Sequence, residues 1–232
     1  MKQTLIFGHR GASKRAPENT IKAFRLAFEE GAEGIEFDIR LSADNEIVVI
    51  HDATIDRTSN GIGNVNELNF SELSEYNFGE GEKIPSLREV LKIFGNTYWL
   101  NIEIKEIGLE EILVDLLLEL RITEKIVISS FLLPALVKIK ELDENLSTAY
   151  LYDFALDDLE SLLEEVQVDG IHPGKKNTTK NIVQAAHEKK LAVRVWTVDD
   201  PKLAKELTKY GVDAIITNAP KEIIAALEAK NS

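Results

Sequence analysis

Glu36 and Asp38 stand two residues apart in the stretch GIEFDIRLSADNEIVVIHD, residues 34–52. From Ile35 to Ile39 apolar and charged residues alternate, the period of a β-strand, so Ile35, Phe37 and Ile39 share one face while Glu36, Asp38 and Arg40 share the other. Two carboxylates then project the same way from one strand. A second apolar run, Ile47 to Ile50, follows the turn signal Asp44-Asn45, which predicts an antiparallel hairpin with a two-residue loop. With that turn at its centre, Asp38 faces His51, and cross-strand partners lie about 4.5–5.5 Å apart at Cβ. A slip of one residue would send His51 to the far face. Carboxylates on a buried strand face are costly unless paired, hydrogen-bonded or bound to a metal. The pair alone therefore fits a salt-bridged strand, a metal site or a general acid/base site.

The elements that must position these groups follow from the rest of the chain. The 232 residues suffice for one large α/β domain or two small ones. Lys+Arg 27 against Asp+Glu 40 leaves a net charge of −13, which disfavours nucleic acid or anionic lipid as a partner, so an anionic substrate must be held by local cations. The absence of cysteine excludes disulfides, thiol nucleophiles and thiolate metal sites. The N-terminal stretch MKQTLIFGHRG lacks a signal-type apolar segment, and no apolar run is long enough for a membrane span, so the chain reads as cytoplasmic, without stable membrane insertion.

A short strand, LIFG, ends at His9-Arg10-Gly11, and Ile21, Phe24, Ala27 and Phe28 then recur at helical spacing before Gly31 stops the helix. After the hairpin, residues 52 to about 86 are rich in Gly, Asn and Ser and read as an irregular insertion, with a helix over Leu87–Phe94 beyond it. YWLNIEIK, residues 98–105, is the next alternating strand, with Asn101, Glu103 and Lys105 on its polar face. Helices near 109–120, 134–143, 157–165, 178–189, 200–210 and 220–230 then alternate with strands KIVISSF, LSTAYLY, VDGIHP, LAVRVWTV and DAIITN. Eight strand–helix units in this length predict a closed (β/α)8 TIM barrel, an α/β fold of one domain over residues 1–232 with a small insertion after the second strand. No Gly-rich nucleotide cradle is present.

In such barrels chemistry sits at the C-terminal strand ends, where His9, Arg10, Glu36, Asp38, Glu103, Lys105, Ser130, His172 and Trp196 all fall. Glu36, Asp38 and Glu103 offer hard oxygen ligands, which favour one Mg²⁺ or Ca²⁺ over Zn²⁺, against the alternative of a carboxylate network balanced by Arg10, Arg40 and Lys105. His9 and His51 fall beside the carboxylates as an acid/base pair. His172 is equally wall or ligand contact, and His187, in a helix beside Glu188 and Lys189, is a surface residue. Arg10 and Lys105 supply positive charge for a phosphate, and Trp196 an apolar or cation-facing wall. Together these groups point to phosphoryl chemistry.

The ordered set HRG (9–11), PENT (17–20), IEFD (35–38), VVIHD (48–52), DRTSNG (56–61), NIEIK (101–105), SF (130–131), HP (172–173) and WTV (196–198) resembles the glycerophosphodiester phosphodiesterases over nearly the whole chain. The resemblance implies a (β/α)8 barrel in which Glu36, Asp38 and Glu103 bind a divalent cation, His9 and His51 act as general acid and base, and Arg10 and Lys105 hold the phosphate. It implies hydrolysis of small glycerophosphodiesters to glycerol 3-phosphate and an alcohol through a cyclic phosphate, with Glu18 and Asn19 bracing the first loop. The sequence departs from the family pattern where Asp199 follows WTV in place of Asn, where Asn218 replaces a terminal Asp, and where apolar Leu132 follows SF. Two other readings stand beside it: a phosphodiesterase or lysophospholipase D acting on lipid substrates, and a silent phosphoester-binding barrel, which would lack a ligand or a histidine. The identity of the alcohol, the choice of metal, the roles of the two histidines and homo-oligomer formation stay open at this level.

Overall fold

The computed structural model describes residues 3–154 and 167–229 of the chain. Eight parallel strands close into a TIM barrel: β1 (Leu5–His9), β2 (Gly34–Leu41), β4 (Trp99–Ile104), β5 (Ile126–Ser130), β6 (Ser147–Tyr152), β7 (Gly170–Pro173), β8 (Ala192–Val195) and β9 (Ala214–Thr217). Closure is made by β1, which pairs with both β2 and β9. The remaining strand, β3 (Ile47–Val49), lies antiparallel on β2 outside the barrel wall. The helices are α1 (Ile21–Glu29), α2 (Phe70–Leu73), α3 (Leu87–Phe94), α4 (Glu110–Leu120), α5 (Leu133–Leu142), α6 (Lys180–Glu188), α7 (Pro201–Tyr210) and α8 (Pro220–Glu228). The helix expected over 157–165 lies outside the described residues.

Alternation along β2 sorts its side chains between two environments. Ile35, Phe37 and Ile39 join the large apolar cluster under the helices, while Glu36 and Asp38 face the barrel interior. Thr20 caps α1 by accepting from the Ala23 N–H, and Phe24 carries the helix onto the sheet, its ring 5.5 Å from that of Phe37 and 6.1 Å from that of Phe94. Because Phe24 is fully buried, Phe24→Ala should cost about 3–5 kcal/mol, read as a lowered urea midpoint with an unchanged slope. Gly11 (φ +84°) follows Arg10 (φ +54°), and a Cβ at Gly11 would lie 2.5 Å from the Ala23 main chain. The loop that carries His9 and Arg10 thus packs directly on α1, an approach only glycine permits.

The hairpin forms, but its register differs from the expected one. Ile39 pairs with Val49, Arg40 with Val48 and Leu41 with Ile47, so Asp38 stands opposite Ile50, whose N–H donates to the Asp38 carbonyl at 2.9 Å. The cause is the loop. Ser42 accepts from the Glu46 N–H through its hydroxyl and lies 2.6 Å from Asp44, while Asn45 adopts φ +60°, so residues 42–46 make a longer turn than two residues. His51 is not thrown to the far face, because β3 ends at Val49 and the chain turns. The Arg40 Nε–H donates to the His51 carbonyl at 2.8 Å and holds that turn beside the barrel mouth.

The insertion is more ordered than its composition suggests. Val65–Glu67 form a single 3₁₀ turn, α2 follows, and Ile55, Val65, Leu73, Phe78 and Ile84 pack with Val48 and Ile50 into a small apolar core of their own. No helix among the described residues is long and apolar enough to cross a membrane.

Candidate active site

At the C-terminal ends of the strands lies a cavity of about 190 Å³ with two chemically distinct sides. His9, Arg10, Glu36, His51, Asn101, Glu103 and Lys105 form the polar side; Phe131, Leu151, Trp196 and Ile216 form the apolar one. Parallel pairing of β2 with β4 sets the polar side, since it puts Glu36 beside Asn101 and Asp38 beside Glu103. One oxygen from each of Glu36, Asp38 and Glu103 lies within 4.8 Å of the others, and all three residues are buried.

Local cations only partly offset this cluster. The Lys105 ammonium donates to Glu103 Oε1 at 2.5 Å and lies 3.6 Å from Asp38; Arg10 Nε lies 3.1 Å from Asp38 Oδ2, which also accepts from Asn19 at 2.9 Å. Glu36 Oε1 and Asp38 Oδ1 are buried with no hydrogen-bond partner among the described residues. Burial, and then the negative charge of Asp38, pushes both the Glu36 and Glu103 carboxyls up to about 8. Buried acceptor oxygens without donors, in a cluster where Glu36 and Glu103 resist ionising, fit a hard divalent cation. Arg40, which the alternative of a balanced carboxylate network set against this cluster, instead bonds Glu106 and the His51 carbonyl.

The two histidines are oriented differently. His9 Nδ1 lies 2.7 Å from Asn218 Oδ1, and its Nε2 is 3.8 Å from Glu36. His51 Nδ1 lies 2.6 Å from Asp52, which also accepts from Arg57 at 2.6 Å. Burial lowers the pKa of both below the ordinary imidazole value, for His9 with help from Arg10 and against the Asn218 hydrogen bond, and for His51 against the charge of Asp38 and the Asp52 hydrogen bond. Glu18 bridges Arg10 and Arg57; burial opposes its ionisation, yet the two guanidiniums hold it down at about 2.

Trp196 donates its indole N–H to the His172 carbonyl at 2.7 Å and meets the Phe131 ring edge-on at 5.5 Å. His172 itself is not brought to the cavity. It is fully buried with Nε2 3.4 Å from Arg194, and burial followed by the Arg194 charge drives its pKa well below the ordinary value. His187 is exposed against Asp213. Asn101 and Phe131, both lining residues, were not singled out in the sequence. Asn101 shares the alternating polar face of Glu103 and Lys105, which was the available signal, and both its amide atoms are buried without partners among the described residues.

The model of the Glycerophosphoryl diester phosphodiesterase family matches residues 9–222. A glycerophosphodiester phosphodiesterase of Caldanaerobacter subterraneus subsp. tengcongensis is 37% identical over 96% of this chain and 97% of its own, and one of Bacillus altitudinis is 32% identical over 97% and 98%. Among solved structures, an Oleispira antarctica phosphodiesterase in complex with the product sn-glycerol-3-phosphate superposes with a TM-score of 0.91 at 28% identity, covering 97% of both chains. With the family model spanning strand one to the last helix and full-length relatives above 30% identity, the chain belongs to the glycerophosphoryl diester phosphodiesterase family.

Proposed function

We propose that the chain, as one barrel domain over residues 1–232, hydrolyses small glycerophosphodiesters to glycerol 3-phosphate and an alcohol. The observation that carries this is the convergence of three buried carboxylates, two histidines and two cationic side chains on one cavity. Glu36, Asp38 and Glu103 would hold one divalent cation, Mg²⁺ or Ca²⁺, which supplies charge neutralisation for a phosphoryl oxygen. Arg10 and Lys105 bind the remaining phosphate charge, and their fixed positions favour the more highly charged transition state.

His9 and His51 move the protons. One removes the proton from the glycerol hydroxyl next to the phosphoester as its oxygen bonds to phosphorus, and the other protonates the departing alcohol as its P–O bond breaks. Water then opens the cyclic phosphate with the two roles exchanged. Phe131, Leu151, Trp196 and Ile216 wall the opposite side and exclude water from it. The test is phosphorus NMR on glycerophosphocholine and on an analogue lacking the neighbouring hydroxyl. Cleavage of the first alone, through a transient cyclic phosphate, is the expected result; equal cleavage of both would contradict the mechanism.

A lipid-bearing substrate is a second reading, favoured by the exposed Ile107, Phe131 and Phe154, which follow the C-terminal ends of β4, β5 and β6. Faster release from lysophosphatidylcholine than from glycerophosphocholine in the same assay would select it.

A further inference from the structure

We propose that Asn218 and Asp199 are positioning residues that lock His9 in the tautomer with its proton on Nδ1, leaving Nε2 as a bare acceptor on the cavity side. The inference rests on the proposed function for its catalytic meaning, but its geometry stands independently. Three donors converge on the Asp199 carboxylate: the Asn218 main-chain N–H at 2.8 Å and the Thr217 hydroxyl at 2.9 Å on Oδ1, and the Asn218 side-chain amide at 2.7 Å on Oδ2. An ionised carboxylate only accepts, so the NH₂ of Asn218 must face Asp199 and its carbonyl oxygen must face the other way.

That oxygen lies 2.7 Å from His9 Nδ1, and a carbonyl cannot donate, so the proton belongs to the ring nitrogen. Ser13 fixes the same corner, its hydroxyl oxygen 2.8 Å from both Asn218 Oδ1 and the His9 carbonyl. A neutral imidazole carries one N–H, which leaves Nε2 with its lone pair, 3.8 Å from Glu36. The lock therefore ties the end of β9 and the loop after β8 to the end of β1, and it sets His9 to take a proton before it can give one. Each member is an ordinary hydrogen bond. The direction of each is forced by the next.

Exchanging the two side chains, Asp199→Asn with Asn218→Asp, keeps one carboxylate against one amide and still offers His9 Nδ1 an acceptor. Asp199→Asn alone keeps a carbonyl on the Asn218 main-chain N–H and turns its NH₂ to the Asn218 side chain, so Asn218 must give its oxygen to the introduced amide and its own NH₂ to His9. Nitrogen NMR of the ¹⁵N-labelled, magnesium-loaded wild type at alkaline pH should show His9 protonated on Nδ1 only. The single variant should show His9 protonated on Nε2 and a kcat lowered roughly 10- to 100-fold, with KM for glycerophosphocholine within about twofold of wild type; the double exchange should recover both signals. A wild-type His9 protonated on Nε2 would overturn the proposal without any variant. So would an Asp199→Asn protein with wild-type tautomer and kcat, or a double exchange no better than the single. A wild type that shows the lock but cleaves no glycerophosphodiester would sink the proposed function and leave the tautomer assignment standing.

Discussion

Glu103→Gln is expected to abolish cation-dependent turnover and, in the metal-free protein, to flatten the loss of stability at alkaline pH. The two effects share one cause. Glu36 and Glu103 are pushed from 4.5 to about 8 by burial and by Asp38, so the folded metal-free state holds protons that the unfolded chain has already released. Stability follows the difference in bound protons between the unfolded and native states; here the native state binds more, so stability is full below the unfolded pKa and falls as pH rises towards the folded value. The metal-free wild type should lose melting temperature progressively between about pH 5 and about pH 8. Added Mg²⁺ or Ca²⁺ should restore it, most at the alkaline end, because binding requires the deprotonated carboxylates. Glutamine removes one of the charges that cannot be accommodated together, so the metal-free variant should decline less and gain little from cation. Thermal melts across pH, with and without chelator, read both predictions; a wild type equally stable at both ends without metal would contradict them.

His51→Ala should lower kcat by roughly 10²- to 10⁴-fold, the range of a single positioned proton carrier. Its side chain is about one-third exposed, so stability should change little, and cation affinity should persist because Glu36, Asp38 and Glu103 are untouched. Adding His9→Ala should cost much less than a second full factor, since residues that act as a unit are not additive. Steady-state kinetics beside cation titrations of His51→Ala, His9→Ala and the double variant separate these outcomes. Cation binding lost together with turnover in His51→Ala would mean that the histidine acts through the metal site.

Much of this site could be read from residue order. The β2 alternation placed Glu36 and Asp38 inward, and the NIEIK strand placed Glu103 beside them, because period two along parallel strands fixes which side chains meet. What escaped was set by turns and by depth. The hairpin register depended on Ser42 and Asn45 lengthening the loop by their own hydrogen bonds and backbone, and neither residue announces a loop length. His172 sits at a strand end, as site residues do, but its ring turns onto Arg194 beneath the apolar wall, and strand position does not reveal that orientation. The Asp199–Asn218 exchange was visible as a departure from the family pattern. Its contact with His9 required the closure of β9 onto β1, which no local pattern encodes.

The most direct test of the central claim is release of glycerol 3-phosphate from glycerophosphocholine by purified, chelator-treated protein, with and without added Mg²⁺ or Ca²⁺, beside Glu103→Gln. The account predicts release by the wild type only when a cation is returned, and none by the variant under any cation. Release by the chelated wild type at an undiminished rate, or by the variant at the wild-type rate, would contradict it.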